Sequence, residues 1–170
     1  FIFHVSDKKA EPSQLRGKLE IAIFTGNLPE LKQLVKSGAD LNALSKDGGS
    51  PLSSAAFHGR LEHVRFLLQK GADATKRNRD GGTPLHVAAL MGRFEIAKLL
   101  LSKGGDTNVR NKKGESSIDA VSGEWSDGVA GFYAFLNGLT SNKVDLQEIR
   151  KTRPHMVKLL KRGPKATLPL

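Results

Sequence analysis

The chain has 170 residues, no cysteine and a formal net charge of +10. That length is enough for one domain with a sizeable buried core. The missing cysteine excludes disulfides, thiolate metal sites and cysteine nucleophiles and leaves the redox compartment undecided, with an intracellular setting as the working expectation, while no apolar run approaches a bilayer span.

In chain order, the opening Phe1-Ile2-Phe3-His4-Val5 is apolar but too short for a signal sequence. It reads as a strand or cap lying on the first repeat, and a start at Phe1 suggests a fragment or a processed product. From residue 17 the chain repeats itself. Gly38-Ala39-Asp40 recurs as Gly71-Ala72-Asp73 and Gly104-Gly105-Asp106, in steps of 33. Asp47-Gly48-Gly49-Ser50-Pro51-Leu52 recurs at the same step as Asp80-Gly81-Gly82-Thr83-Pro84-Leu85, and Gly26, Gly59 and Gly92 form a third column. Ser50 and Thr83 are N-cap types, with Pro51 and Pro84 at the first helical position, where a missing N–H is harmless. Leu52, Ala55 and Ala56 then share a face, as do Leu85, Ala88 and Ala89, before Gly59 and Gly92 end each helix. A second helix comes next, carrying Leu61, Val64, Leu67 and Leu68 in one copy and Phe94, Ala97, Leu100 and Leu101 in the other. An earlier copy, with Leu19, Ala22, Leu31 and Leu34, begins with Gly17-Lys18 instead of Thr-Pro and reads as a capping repeat.

The fourth copy decays. It keeps Gly114, Ser116 and Ile118, but Ser117 replaces the proline, Asp119 the histidine and Trp125 the helix-ending glycine. Ser126 to Leu139 reads as a helix with Val129, Phe132, Tyr133 and Leu136 at helical spacing. Asp145 is expected to cap a short helix bearing Leu146 and Ile149, and Pro154 to open another bearing Met156, Val157, Leu159 and Leu160. The chain thus divides into an arm over 1–16, repeats over 17–122, a divergent helical cap over 123–163 and a disordered tail over 164–170.

Thr83-Pro84-Leu85-His86-Val87-Ala88 matches the signature T-P-L-H-x-A at every specified position, and the period agrees. The chain therefore resembles the ankyrin-repeat family from Gly17 to Ile118. The resemblance implies an all-α repeat solenoid of about four repeats, each a helix-turn-helix unit with a hairpin-like loop. It also implies binding of another protein through the loop tips and the exposed side of the inner helices, and a structural hydrogen-bonding role for His86 at its loop.

No catalytic constellation emerges, and no metal or cofactor is expected. Ser53 occupies the position of His86 one repeat earlier. Glu62-His63 lacks the second histidine of a zinc helix, and His58, His63 and His86 have no ligand spacing. Gly48-Gly49 and Gly81-Gly82 are turn glycines, and Asp47 and Asp80 belong to the shared loop pattern. Trp125, Phe132 and Tyr133 form either an aromatic patch or the core of the cap, and the core is the preferred reading.

Two features point to a binding surface. Phe24, Phe57 and Leu90 are spaced by 33 and are expected to form an apolar column on the concave face, with His58 and Met91 beside it. Lys76, Arg77 and Arg79 stand on one tip and Arg110, Lys112 and Lys113 on the next, within a stretch (75–114) of nine basic and three acidic residues. The expected partner is a protein or peptide, acidic with apolar anchors. The alternative is a nucleic acid or another anionic surface held by this stretch and by the basic stretch 144–170.

Overall fold

A computed structural model describes residues 11–140, 143 and 145–164. The expectations for Phe1–Val5 and for the tail beyond Pro164 fall outside the described residues. Those residues form nine helices and no strand: α1 (Pro12–Thr25), α2 (Leu28–Lys36), α3 (Pro51–Phe57), α4 (Leu61–Gln69), α5 (Pro84–Leu90), α6 (Phe94–Ser102), α7 (Asp119–Ser122), α8 (Asp127–Leu139) and α9 (Leu146–Arg162).

The helices stack in two layers. The inner row runs α1, α3, α5, α7 and the outer row α2, α4, α6, each helix touching the next in its row. Alanines make the inner row possible: Ala22, Ala55, Ala56, Ala88 and Ala89 are fully buried and let neighbouring backbones approach. Leu19, Leu52 and Leu85 fill the same row at one per repeat, each contributing about 1.5–3 kcal/mol on burial.

The capping chemistry matches the sequence closely. Ser50 Oγ accepts from the Ser53 N–H at 3.1 Å, and Gly59 and Gly92 take the left-handed conformation, φ +66° and +64°. At α5 the cap is reciprocal. Thr83 N–H donates to His86 Nδ1 at 3.1 Å, and His86 Nε2 meets the Glu115 carbonyl of the following loop at 3.2 Å. A backbone N–H can only donate and a carbonyl can only accept, so His86 is the neutral tautomer with its proton on Nε2. One repeat later Asp119 does the histidine's job. Its Oδ2 accepts from Ser116 N–H and Ser116 Oγ, both at 2.8 Å.

Two expectations at the ends are corrected, and the C-terminal end adds an arrangement the repeat pattern does not announce. Helix α1 starts at Pro12, so the boundary placed after residue 16 falls inside it. Pro154 does not open a helix but lies within α9, which is continuous over 17 residues. Ile149, Arg153, Met156 and Leu160 form one buried stripe across the proline, and that shared burial outweighs the roughly 3 kcal/mol cost of an interior proline. Finally, α9 takes the place of the missing fourth outer helix. It packs on α7 and against α6, with α8 inserted before it. Arg60 covers Gly26 and Arg93 covers Gly59, while at Gly92 the covering side chain is Ile149.

The loop tips pair through backbone. Arg79 N–H donates to the Gly48 carbonyl at 3.0 Å, and Lys112 N–H to the Asp80 carbonyl at 2.8 Å. Gly48 is constrained twice, by φ +87° and because a Cβ there would stand 2.4 Å from Arg79 Cβ. Gly48→Ala is therefore expected to cost about 2–3 kcal/mol in urea unfolding. Gly38, φ +89° but open to solvent, is expected to lose only about 1 kcal/mol as alanine. Equal losses at the two sites would show that the neighbouring tip yields freely.

Candidate functional site

The concave face carries two clefts between loop tips and inner helices. The larger, about 600 Å³, has Val87, Leu90, Ala120 and Phe132 as its apolar wall. Asn78, Asp80 and Gly82 come from one tip and Asn111, Lys112, Lys113 and Glu115 from the next. The smaller, about 190 Å³, lies toward the N-terminus and includes Arg16, Phe24, Asp47 and His58.

The sequence-derived apolar column divides between these clefts. Phe24 is 50% exposed in the smaller one, and Leu90 is half-buried in the larger. Phe57 is half-buried and borders neither cleft. The rings of Phe24 and Phe57 both stand edge-on to His58, at 5.2 and 5.1 Å.

His58 and Met91 do not present the expected surface. Both are C-caps of inner helices, and both are buried, His58 at 8% exposure and Met91 at 1%. The reason is distant in sequence. His58 Nδ1 meets Thr140 Oγ1 at 3.2 Å, just past the end of α8, and Ile149 of α9 covers Gly92 beside Met91. The chain's own C-terminal helices therefore cover this end of the inner row. Burial, then the charges of Arg60 and Arg93, lower the His58 pKa to about 4. Arg93 itself is lowered to about 10 by burial and by Arg60, and so stays charged at neutral pH.

The six tip cations also divide. Arg77 Nε donates to the Gly81 carbonyl at 3.0 Å, and its Nη2 to the Arg110 carbonyl. Arg79 Nη2 donates to the Lys46 carbonyl at 2.8 Å. Arg110 Nη1 bonds the Gly114 carbonyl and pairs with Asp119 Oδ2 at 3.0 Å. Arg77 and Arg79 thus reach across to neighbouring tips, while Arg110 ties its own tip to Asp119, each through one or two donors. Lys112 and Lys113 are exposed on the rim of the larger cleft; Lys76 is half-buried and lies outside it.

Spacing within the repeat does not by itself assign Val87, Ala120 or Phe132 to a site. The expectation for Phe132, as cap core beside Trp125 and Tyr133, is corrected. Tyr133 is indeed buried and stacked on Trp125 at 5.7 Å, but Phe132 stays 46% exposed and forms part of the cleft wall. Val87 sits three residues before Leu90, and that spacing is the one signal that could have placed it on the same helix face.

A family profile for ankyrin repeats in three copies matches residues 19–111. The chain belongs to the ankyrin-repeat family, whose members are generally protein–protein interaction modules and typically non-catalytic. Comparison with curated proteins gave no match. No described helix is long and apolar enough to cross a membrane.

Proposed function

We propose that the chain is a non-catalytic interaction module that seats a partner segment in the larger concave cleft. The segment carries an apolar anchor for the Val87–Leu90–Ala120–Phe132 wall and acidic residues for Lys112 and Lys113. The observation that carries the reading is the cleft itself, an apolar wall meeting two exposed lysines on a preformed edge. The anchor supplies most of the affinity, because desolvated apolar contacts at the centre of an interface dominate its energy. Asp80 and Glu115 balance the two lysines locally, so the preference for an acidic segment comes from the wider basic stretch and acts mainly on approach.

The nucleic-acid alternative draws its support from the basic stretches 75–114 and 144–170. It is weakened at the tips, where Arg77, Arg79 and Arg110 are engaged with backbone carbonyls. A pull-down from native lysate at low and high salt separates the two readings. The proposal expects a discrete protein that survives high salt on the native chain and is lost on Leu90→Asp. Retention of nucleic acid alone, released by high salt, would reverse the order of the two readings.

A further inference from the structure

A separate cavity, of about 360 Å³, lies at the junction of α7 and α9, lined chiefly by Val121, Trp125, Arg150, Arg153, Pro154 and Val157. Its polar character is one-sided, since two arginines line it and no carboxylate does. Arg153 is only 8% exposed. Its guanidinium lies 5.7 Å from the Trp125 ring and 5.9 Å from that of Tyr133. Nη2 donates to the Gly123 carbonyl at 2.9 Å, and Nη1 reaches the Tyr133 hydroxyl at 3.5 Å. Neither Arg150 nor Arg153 belongs to an ion pair among the described residues.

A buried cation without a counter-ion is costly, and aromatic faces with one carbonyl offset only part of that cost. A guanidinium carries five donors, and two are placed here. Arg150 precedes Arg153 by three residues on the same helix and lines the same cavity, so two arginines border one space. Such pairs recognise oxyanions through charge-assisted, often bidentate bonds. Besides Ser122 and Gly123, the remaining wall is the indole together with Val121, Pro154 and Val157, which suits an apolar body and not a bare ion.

We propose that this cavity binds an oxyanion of the carboxylate or phosphate type carried on a small aromatic or apolar group. Arg150 and Arg153 meet the charge, and Trp125 with Val121 and Val157 receives the body. The site is independent of the concave cleft and does not rest on that reading.

Trp125 is the only tryptophan, so its emission reports on the cavity directly. The full chain is titrated with phenyl phosphate, benzoate and inorganic phosphate, each at constant ionic strength set with sodium chloride. A saturable change is expected with phenyl phosphate or benzoate, and weaker binding with inorganic phosphate. Arg153→Gln removes the tie between Gly123 and Tyr133 and is expected to loosen the cap, so it does not separate binding from folding. Arg150 is exposed and belongs to no ion pair among the described residues, and Arg150→Gln is expected to weaken binding about tenfold or more with an unchanged thermal midpoint. No saturable response to any probe, or a response that Arg150→Gln leaves intact, overturns the site. Equal affinity for inorganic phosphate overturns the role given to the apolar wall.

Discussion

Lowering the pH from 7 to 4.5 is expected to cost the fold about 2–3 kcal/mol through His58 alone. His58 titrates at about 4 in the folded chain, against 6.5 for the free side chain. Between those values the unfolded chain takes up the proton and the folded chain does not. Stability from this residue is therefore complete above about pH 6.5 and falls as the pH drops toward 4. Burial is the main cause, with Arg60 and Arg93 adding positive charge nearby. Both arginines are tied down, Arg60 Nη2 to the Phe24 carbonyl at 2.8 Å and Arg93 Nη2 to the Phe57 carbonyl at 3.4 Å.

The other buried histidines act in the same direction. Burial lowers His86, and protonating its Nδ1 would also break the bond from Thr83 N–H that starts α5. Burial, then Arg60, lowers His63 on α4. Asp73 and Asp119 are held low by hydrogen bonds from Thr75 and Ser116, so they lose their contribution only below the ordinary carboxylate range. The interval from pH 6.5 to 4.5 therefore isolates the histidines. Urea unfolding at pH 7 and 4.5, on the native chain and on His58→Gln, checks this. Glutamine can still hydrogen-bond Thr140 but cannot gain a charge, so the acid loss is expected to shrink by about 2–3 kcal/mol. An undiminished loss in the variant would mean that His58 is not the acid-sensitive group.

The repeat frame is legible in the sequence because it is written in backbone requirements. A glycine at positive φ, a proline after a serine or threonine, and a histidine three residues past its cap each have few physical substitutes. Asp119 is an instructive departure. It breaks the motif by letter and keeps it by mechanism, accepting from Ser116 as His86 accepts from Thr83. What the sequence hides is whatever depends on distant segments. His58 and Met91 stand at positions that read as surface within one repeat, yet both are buried, with Thr140 bonded to His58 and Ile149 packed against Gly92 beside Met91, both far along the chain. The fourth outer helix escapes notice because α8 is inserted before it and Ile149 takes an arginine's place. Pro154 misleads because the local rule for proline is read before the longer stripe of buried side chains. Tip arginines look like free charge until the neighbouring carbonyls are placed beside them.

Graded substitutions around the larger cleft are expected to separate the anchor, the approach and the bystanders once a partner segment is in hand. Leu90→Asp and Phe132→Asp each place a charge on the apolar wall. Each is expected to weaken binding by about 2–3 kcal/mol, roughly 30- to 150-fold, chiefly through faster dissociation. The fold should tolerate both, since Leu90 is half-buried and Phe132 is 46% exposed. Lys112→Glu and Lys113→Glu should behave differently, slowing association and changing its salt dependence while leaving dissociation nearly unaltered. Phe57→Asp is the discriminating case. By spacing alone it belongs to the same column as Leu90, but in the folded chain it packs edge-on against His58 and borders neither cleft. It should leave affinity within about threefold, the scale of a residue outside the central contact. A loss at Phe57 matching that at Leu90 would move the binding surface to the continuous inner-helix column, and the cleft closed by Phe132 would no longer be needed to explain it.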